Sequence, residues 1–91
     1  MKYMITWKCS PENYRAAVKR FLKTGGPAPK GAKSLGRWHS AASTRGWHLV
    51  EGSDAAIAEL NAEWADLLEL ETLPVVDDAV AGAVAKKVWG K

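Results

Sequence analysis

Cysteine occurs once in these 91 residues, at Cys9. No internal disulfide framework can staple the fold, and a reducing cytoplasm is the expected setting. No apolar run reaches the roughly 18 residues needed to cross a bilayer, and no basic-then-apolar leader is present. A soluble, cytoplasmic chain with no membrane partner is therefore expected. Acidic residues are nearly missing from the first half. Residues 1–50 hold ten Lys/Arg and only Glu12, a net +9, while residues 51–91 hold three Lys and nine Asp/Glu, a net −6. A nucleic-acid binder could show the first half of that pattern. The basic residues are spread over a helix, a loop and strand ends, so the halves are read as neutralising each other within one fold or across a dimer.

Familiar catalytic motifs are missing as well. Gly25-Gly26-Pro27 lacks the pattern and the strand-to-helix context of a phosphate loop, and no serine occupies a nucleophile elbow. His39, His48, Cys9 and Glu51 supply metal-binding atom types without any ligand spacing, so neither a metal nor a cofactor is expected. Lys8 and a nearby helix start could lower the Cys9 thiol pKa, but a buried, inert thiol is the reading adopted.

Tryptophan, by contrast, is abundant: five in one small chain. A domain of this size buries only about 60–65% of its unfolded surface. One such core can hardly absorb every indole, so some should lie in a pocket or an interface. The length allows a single domain over residues 1–91.

Lys2 to Cys9 alternates around Tyr3, Ile5 and Trp7 and predicts a first strand. Ser10-Pro11 is a helix start, and Gly25 with Pro27 stops that helix after about Lys23. A Pro/Gly-rich loop spans Gly25–Gly31. Strands are expected at about Lys33–Ser40 and Arg45–Glu51, joined by a wider hairpin loop. Ser53 or Asp54 caps a second helix with a buried stripe of Ile57, Leu60 and Trp64. A fourth strand runs from about Leu67 to Val75, with Pro74 marking an edge. Asp77 and Asp78 begin a C-terminal helix carrying Val80, Val84 and Val88 on one face.

The order β-α-β-β-α-β plus a helix predicts an α+β, ferredoxin-like domain: four antiparallel strands with two helices on one face. Arg15, Lys19 and Lys23 of the first helix should pair with Glu59, Glu63 and Asp66 of the second, for about 0–1 kcal/mol per exposed pair. Alternation places Leu35, Arg37 and His39 on the helix-free face, since an arginine is unexpected beneath a helix and Gly36 would admit one. Tyr3, Ile5, Trp7, Trp47, Leu49, Glu51, Glu69 and Glu71 join them there. His48, Val50, Leu68 and Leu70 point inward. So apolar a face predicts a homodimer in which two sheets pack together.

Met1 to Trp7, Phe21-Leu22 with Thr24-Gly-Gly-Pro27, Gly36-Arg-Trp-His39 and Glu63-Trp-Ala-Asp-Leu-Leu-Glu-Leu70 together resemble a family of small bacterial proteins catalogued as a domain of unknown function. The resemblance covers nearly the whole chain. It implies a dimeric α+β barrel like those of antibiotic-biosynthesis monooxygenases and muconolactone isomerases, a superfamily that includes cofactor-free oxygenation, isomerisation and haem degradation. No motif here selects among those chemistries.

His39 is the candidate acid/base, since imidazoles titrate near neutral pH, and the alternative is a hydrogen-bonded interface histidine. Arg37 could clamp a carboxylate or pair with Glu69 or Glu71 of a second copy. Trp7, Trp38, Trp47 and Glu51 are the remaining candidates for lining a ligand site. Two functions stay open: a pocket for an apolar or aromatic small molecule, with oxygenase or isomerase chemistry in view, and a non-enzymatic dimeric module. RNA binding on the aromatic face is disfavoured by Glu51, Glu69 and Glu71 and by the lack of an RNP-like motif.

Overall fold

The computed structural model describes residues 1–90. The elements are β1 (Lys2–Cys9), α1 (Pro11–Thr24), β2 (Ala32–His39), β3 (Arg45–Gly52), α2 (Asp54–Trp64), β4 (Leu68–Val75) and α3 (Asp78–Trp89). Every strand pair is antiparallel, in the order β2-β3-β1-β4, with the ferredoxin-like connectivity expected from the sequence. β1 is therefore interior, and β4, with Pro74, is an edge.

The helix ends follow their local chemistry. Ser10 is extended and Pro11 opens α1, although the Ser10 side chain makes no capping bond. Gly25, at φ 75°, closes α1 by donating its N–H to the Phe21 carbonyl. Ser53 accepts from the Ala56 N–H, and Asp77 accepts from the Val80 N–H.

The core comprises Ile5, Val50, Ile57 and Leu60, with Tyr3, Ala32, Trp64 and Leu70 packed against it. α2 lies close on the sheet, burying Ala56, Ile57 and Leu60, whereas α1 buries only Ala17. That difference leaves open space under α1. α3 buries none of its residues. The radius of gyration is 15.5 Å and the longest dimension 54 Å, against about 12 Å for the radius of a compact chain of this length, because α3 extends from the body.

Directly opposed residues share a face of an antiparallel sheet. The register sets Arg37, His48, Ile5 and Thr72 in one row across the four strands, and His39, Gly46, Trp7 and Leu70 in the next. Ile5 belongs to the core beneath α2, so both rows face the helices. The inward placement of His48, Val50, Leu68 and Leu70 agrees with the sequence reading. The placement of β1 and β2 does not: Tyr3, Ile5, Trp7, Arg37 and His39 face the helices rather than away from them.

Two physical reasons account for the correction. A register shift between Ser34 and Gly36 puts Ser34 and Arg37 on the same face. Gly36 also makes room for the Trp38 indole rather than for a helix, since a Cβ there would meet the Trp38 ring. The open face consequently carries Met4, Thr6, Trp38, Trp47, Leu49 and Leu73, with Lys33 opposite Glu51 and Lys8 opposite Glu69.

The helix pairing also differs in its partner. Arg15, Lys19 and Lys23 are exposed on the outer side of α1. Arg20 makes the contact instead, donating bidentately to Asp66 at 2.8 and 2.7 Å and to the Glu63 carbonyl. Its guanidinium also stacks 5.3 Å from the Trp64 ring centre. Among the described residues the other ion pair is Lys2–Asp77 at 3.5 Å.

Candidate functional site

A cavity of about 340 Å³ lies between the sheet, α1 and α2. Its floor is the inward face of β1, β2, β3 and β4, including Ile5, Trp7, Arg37, His39, His48 and Leu70. α1 supplies Tyr14, Val18 and Phe21, and α2 supplies Leu60, Asn61 and Trp64. The walls are mostly apolar and the polar groups few, as small-molecule sites require.

Arg37 is half-buried at one end of the cavity. It donates to the Gly26 carbonyl at 2.8 Å and the Gly25 carbonyl at 3.0 Å, and its guanidinium lies 5.1 Å from the Phe21 ring centre. Gly26 has φ 57°, and a Cβ there would come within 2.6 Å of the guanidinium, so glycine is needed for this cradle. No carboxylate pairs with Arg37 among the described residues. Burial lowers its pKa, as expected for a cation short of water and of counter-charge. Carbonyls occupy two of the five guanidinium N–H groups, leaving donors for an anion.

His48 stands opposite Arg37 on β3 and is buried, 5% exposed. Its Nε2 lies 2.8 Å from Ser34 Oγ. Desolvation, and then the positive charge of Arg37, lower its pKa to about 4, so the ring is neutral at physiological pH. His39 is exposed and lines the cavity from the end of β2, at its mouth. Its ring meets Trp7 edge-on at 5.3 Å and Phe21 at 5.5 Å. Gly46 makes this possible: the Trp7 indole crosses above it to reach His39, and any Cβ would collide with that ring.

Cys9 is buried in the cavity wall, and desolvation raises its thiol pKa, which keeps it protonated and unreactive. Asn61 donates from Nδ2 to Thr72 Oγ1 at 2.8 Å, while its buried Oδ1 receives no hydrogen bond from the protein. No group of three or more His, Cys, Asp or Glu side chains converges as a metal site among the described residues. No helix among them is long and apolar enough to cross a membrane.

Of the residues singled out from sequence, Trp7, Arg37 and His39 thus meet in one cavity. Trp38, Trp47 and Glu51 lie on the opposite face of the sheet and do not line it. Tyr14 and Asn61 went unnoticed. Asn61 could have been found, because it lies four residues after Ile57, which puts an amide on the buried face of α2.

The family described as a domain of unknown function, DUF3303, matches residues 1–89. The chain belongs to this family. The match extends from the start of β1 to the end of α3, so the DUF3303 domain includes both the cavity and the projecting helix. Neither the curated proteins nor the solved structures contain a significant match.

Proposed function

We propose that this DUF3303 protein binds a small, largely apolar and aromatic anion in the cavity beneath α1, and that it works as a cytoplasmic homodimer. The observation carrying the reading is Arg37: a half-buried cation in an aromatic cavity, with no carboxylate partner among the described residues. A ligand carboxylate would supply the missing counter-charge as a charge-assisted, bidentate pair. Phe21, Trp7 and Trp64 line the cavity and give it an aromatic wall for the ligand body. His39, exposed and lining the cavity, would exchange a proton between ligand and solvent in any isomerase- or oxygenase-type turnover.

The dimer reading rests on the open face. Met4, Trp38, Trp47, Leu49 and Leu73 form an apolar centre with Lys33, Glu51, Lys8 and Glu69 among them. A two-fold axis sets such a surface against itself and can bring opposite charges together. Trp38 and Trp47, at 56% and 40% exposed, are the indoles that a second copy would cover. The non-enzymatic alternative keeps this dimer and leaves the cavity without turnover.

Titration calorimetry with 3-phenylpropionate and its neutral amide tests the binding reading. The acid should bind at least about tenfold more tightly than the amide, a difference that Arg37→Gln should abolish. Equal affinities in the wild type, or no binding of either compound at millimolar concentration, would refute it. His39→Ala should leave the dimer intact while suppressing turnover. Loss of the dimer instead would make His39 a structural residue.

A further inference from the structure

Arg37 is not alone on its wall of the cavity. His48 stands directly opposite it on the neighbouring strand, and both side chains line the cavity. Directly opposed residues have Cβ atoms about 4.5–5.5 Å apart. The other titratable groups in the lining are His39 on β2, Cys9 on β1 and Tyr14 on α1, while α2 and β4 contribute none. The adjacent row brings Tyr3, whose hydroxyl donates to Asp54. Among the described residues no Asp or Glu lines the cavity. An anion that pairs with Arg37 therefore meets an imidazole beside the cation and no acid to oppose it.

The hydrogen bonding of His48 suits a ring that changes protonation state. Its Nε2 lies 2.8 Å from Ser34 Oγ. A hydroxyl can both donate and accept. The Ser34 hydroxyl donates to an unprotonated Nε2 and, once turned, accepts from the Nε2–H of an imidazolium. Neither state leaves that nitrogen unpaired. Ser34 is exposed and does not line the cavity, so it links the buried ring to solvent even when a ligand fills the space.

Desolvation first, and then the charge of Arg37, hold the His48 pKa at about 4. A carboxylate on Arg37 offsets the second cause and adds an opposite charge nearby. It adds little to the first, because a ring only 5% exposed has almost no water left to lose. An opposite charge within about 4–6 Å typically moves a pKa by roughly 1–3 units toward the charged form.

We infer that the cavity takes up its anion together with a proton, the carboxylate pairing with Arg37 and the proton resting on His48. This rests on the anion-binding reading above and names what regulates that site: acidification tightens binding, and a return to neutral pH favours release.

Proton NMR and calorimetry with 3-phenylpropionate test it. Between pH 8 and 5 the His48 Cε1–H signal should stay nearly constant in the free protein. With saturating ligand it should titrate, its midpoint raised by about one to three units. A rise of about two units makes binding roughly fourfold tighter at pH 5.5 than at pH 7.5. That gain should persist in His39→Gln and vanish in His48→Gln. A His48 signal as flat with ligand as without it, or a gain lost in His39→Gln instead, would overturn the proton coupling while leaving the Arg37 site standing. Failure of 3-phenylpropionate to bind at either pH would overturn both.

Discussion

Acidification probes the electrostatics of the cavity through His48. Its pKa is about 4 in the folded protein, against 6.5 for an ordinary imidazole. Between those values the unfolded chain binds a proton that the folded chain refuses, so the native state loses stability as pH falls. The contribution is fully present above pH 6.5, drains as pH drops toward 4, and is constant below. Integrated over that window, the loss is about 2 kcal/mol by pH 5 and about 3 kcal/mol by pH 4. The exposed carboxylates act in a lower range. Hydrogen bonding to Arg20 depresses the Asp66 pKa, and the Val80 N–H depresses that of Asp77. Both carboxylates are at full effect above their unfolded value of 3.8 and fade only as pH falls through their lower folded values. Urea unfolding followed by tryptophan fluorescence at pH 7.5, 6, 5 and 4 would measure the loss. Protein concentration must be held constant, because the proposed self-association would couple stability to it. His48→Gln, which can still hydrogen-bond Ser34, should flatten the curve between pH 7.5 and 4. An equal pH slope in wild type and variant, or a His48 titration midpoint near 6 by NMR, would refute the argument.

Two further outcomes follow from the packing. Gly46→Ala places a methyl group inside the Trp7 indole, and should cost about 1–3 kcal/mol of stability while releasing the Trp7–His39 edge contact. Chemical denaturation reads the first effect, and the His39 ring-proton shifts read the second. Leu49→Lys puts a charge at the centre of the open face, away from the cavity, and should raise the dimer dissociation constant roughly hundredfold with ligand binding retained. Sedimentation equilibrium measures it, and an unchanged association state would remove the open face as the dimer surface.

Much of the architecture is local and was legible in the chain. Ser10-Pro11, Gly25, Ser53 and Asp77 punctuate the helices through backbone geometry and short-range hydrogen bonds. On β4, Leu68 and Leu70 alternate with Glu69 and Glu71, and on β3 Glu51 marks the outward parity, so the inward faces read correctly. On β1 both faces carry apolar residues, Tyr3, Ile5 and Trp7 on one and Met4 on the other, and pattern alone could not choose between them. On β2 a single irregularity near Leu35 changed the parity and carried Ser34 to the same side as Arg37.

The site depended more heavily on such long-range facts. That Arg37, His39 and Trp7 share a cavity follows from how far α1 stands off the sheet and from Gly46 letting an indole cross its strand. The arginine was expected outside because burying a cation beneath a helix is costly, yet the Gly25 and Gly26 carbonyls at the end of that helix accept its N–H groups. Composition, periodicity and capping residues determine by themselves the order and type of the elements, because they act within a turn or two of chain. Which faces meet, which charge goes without a partner and where the space is left depend on contacts between residues distant in sequence, and only tertiary packing decides those.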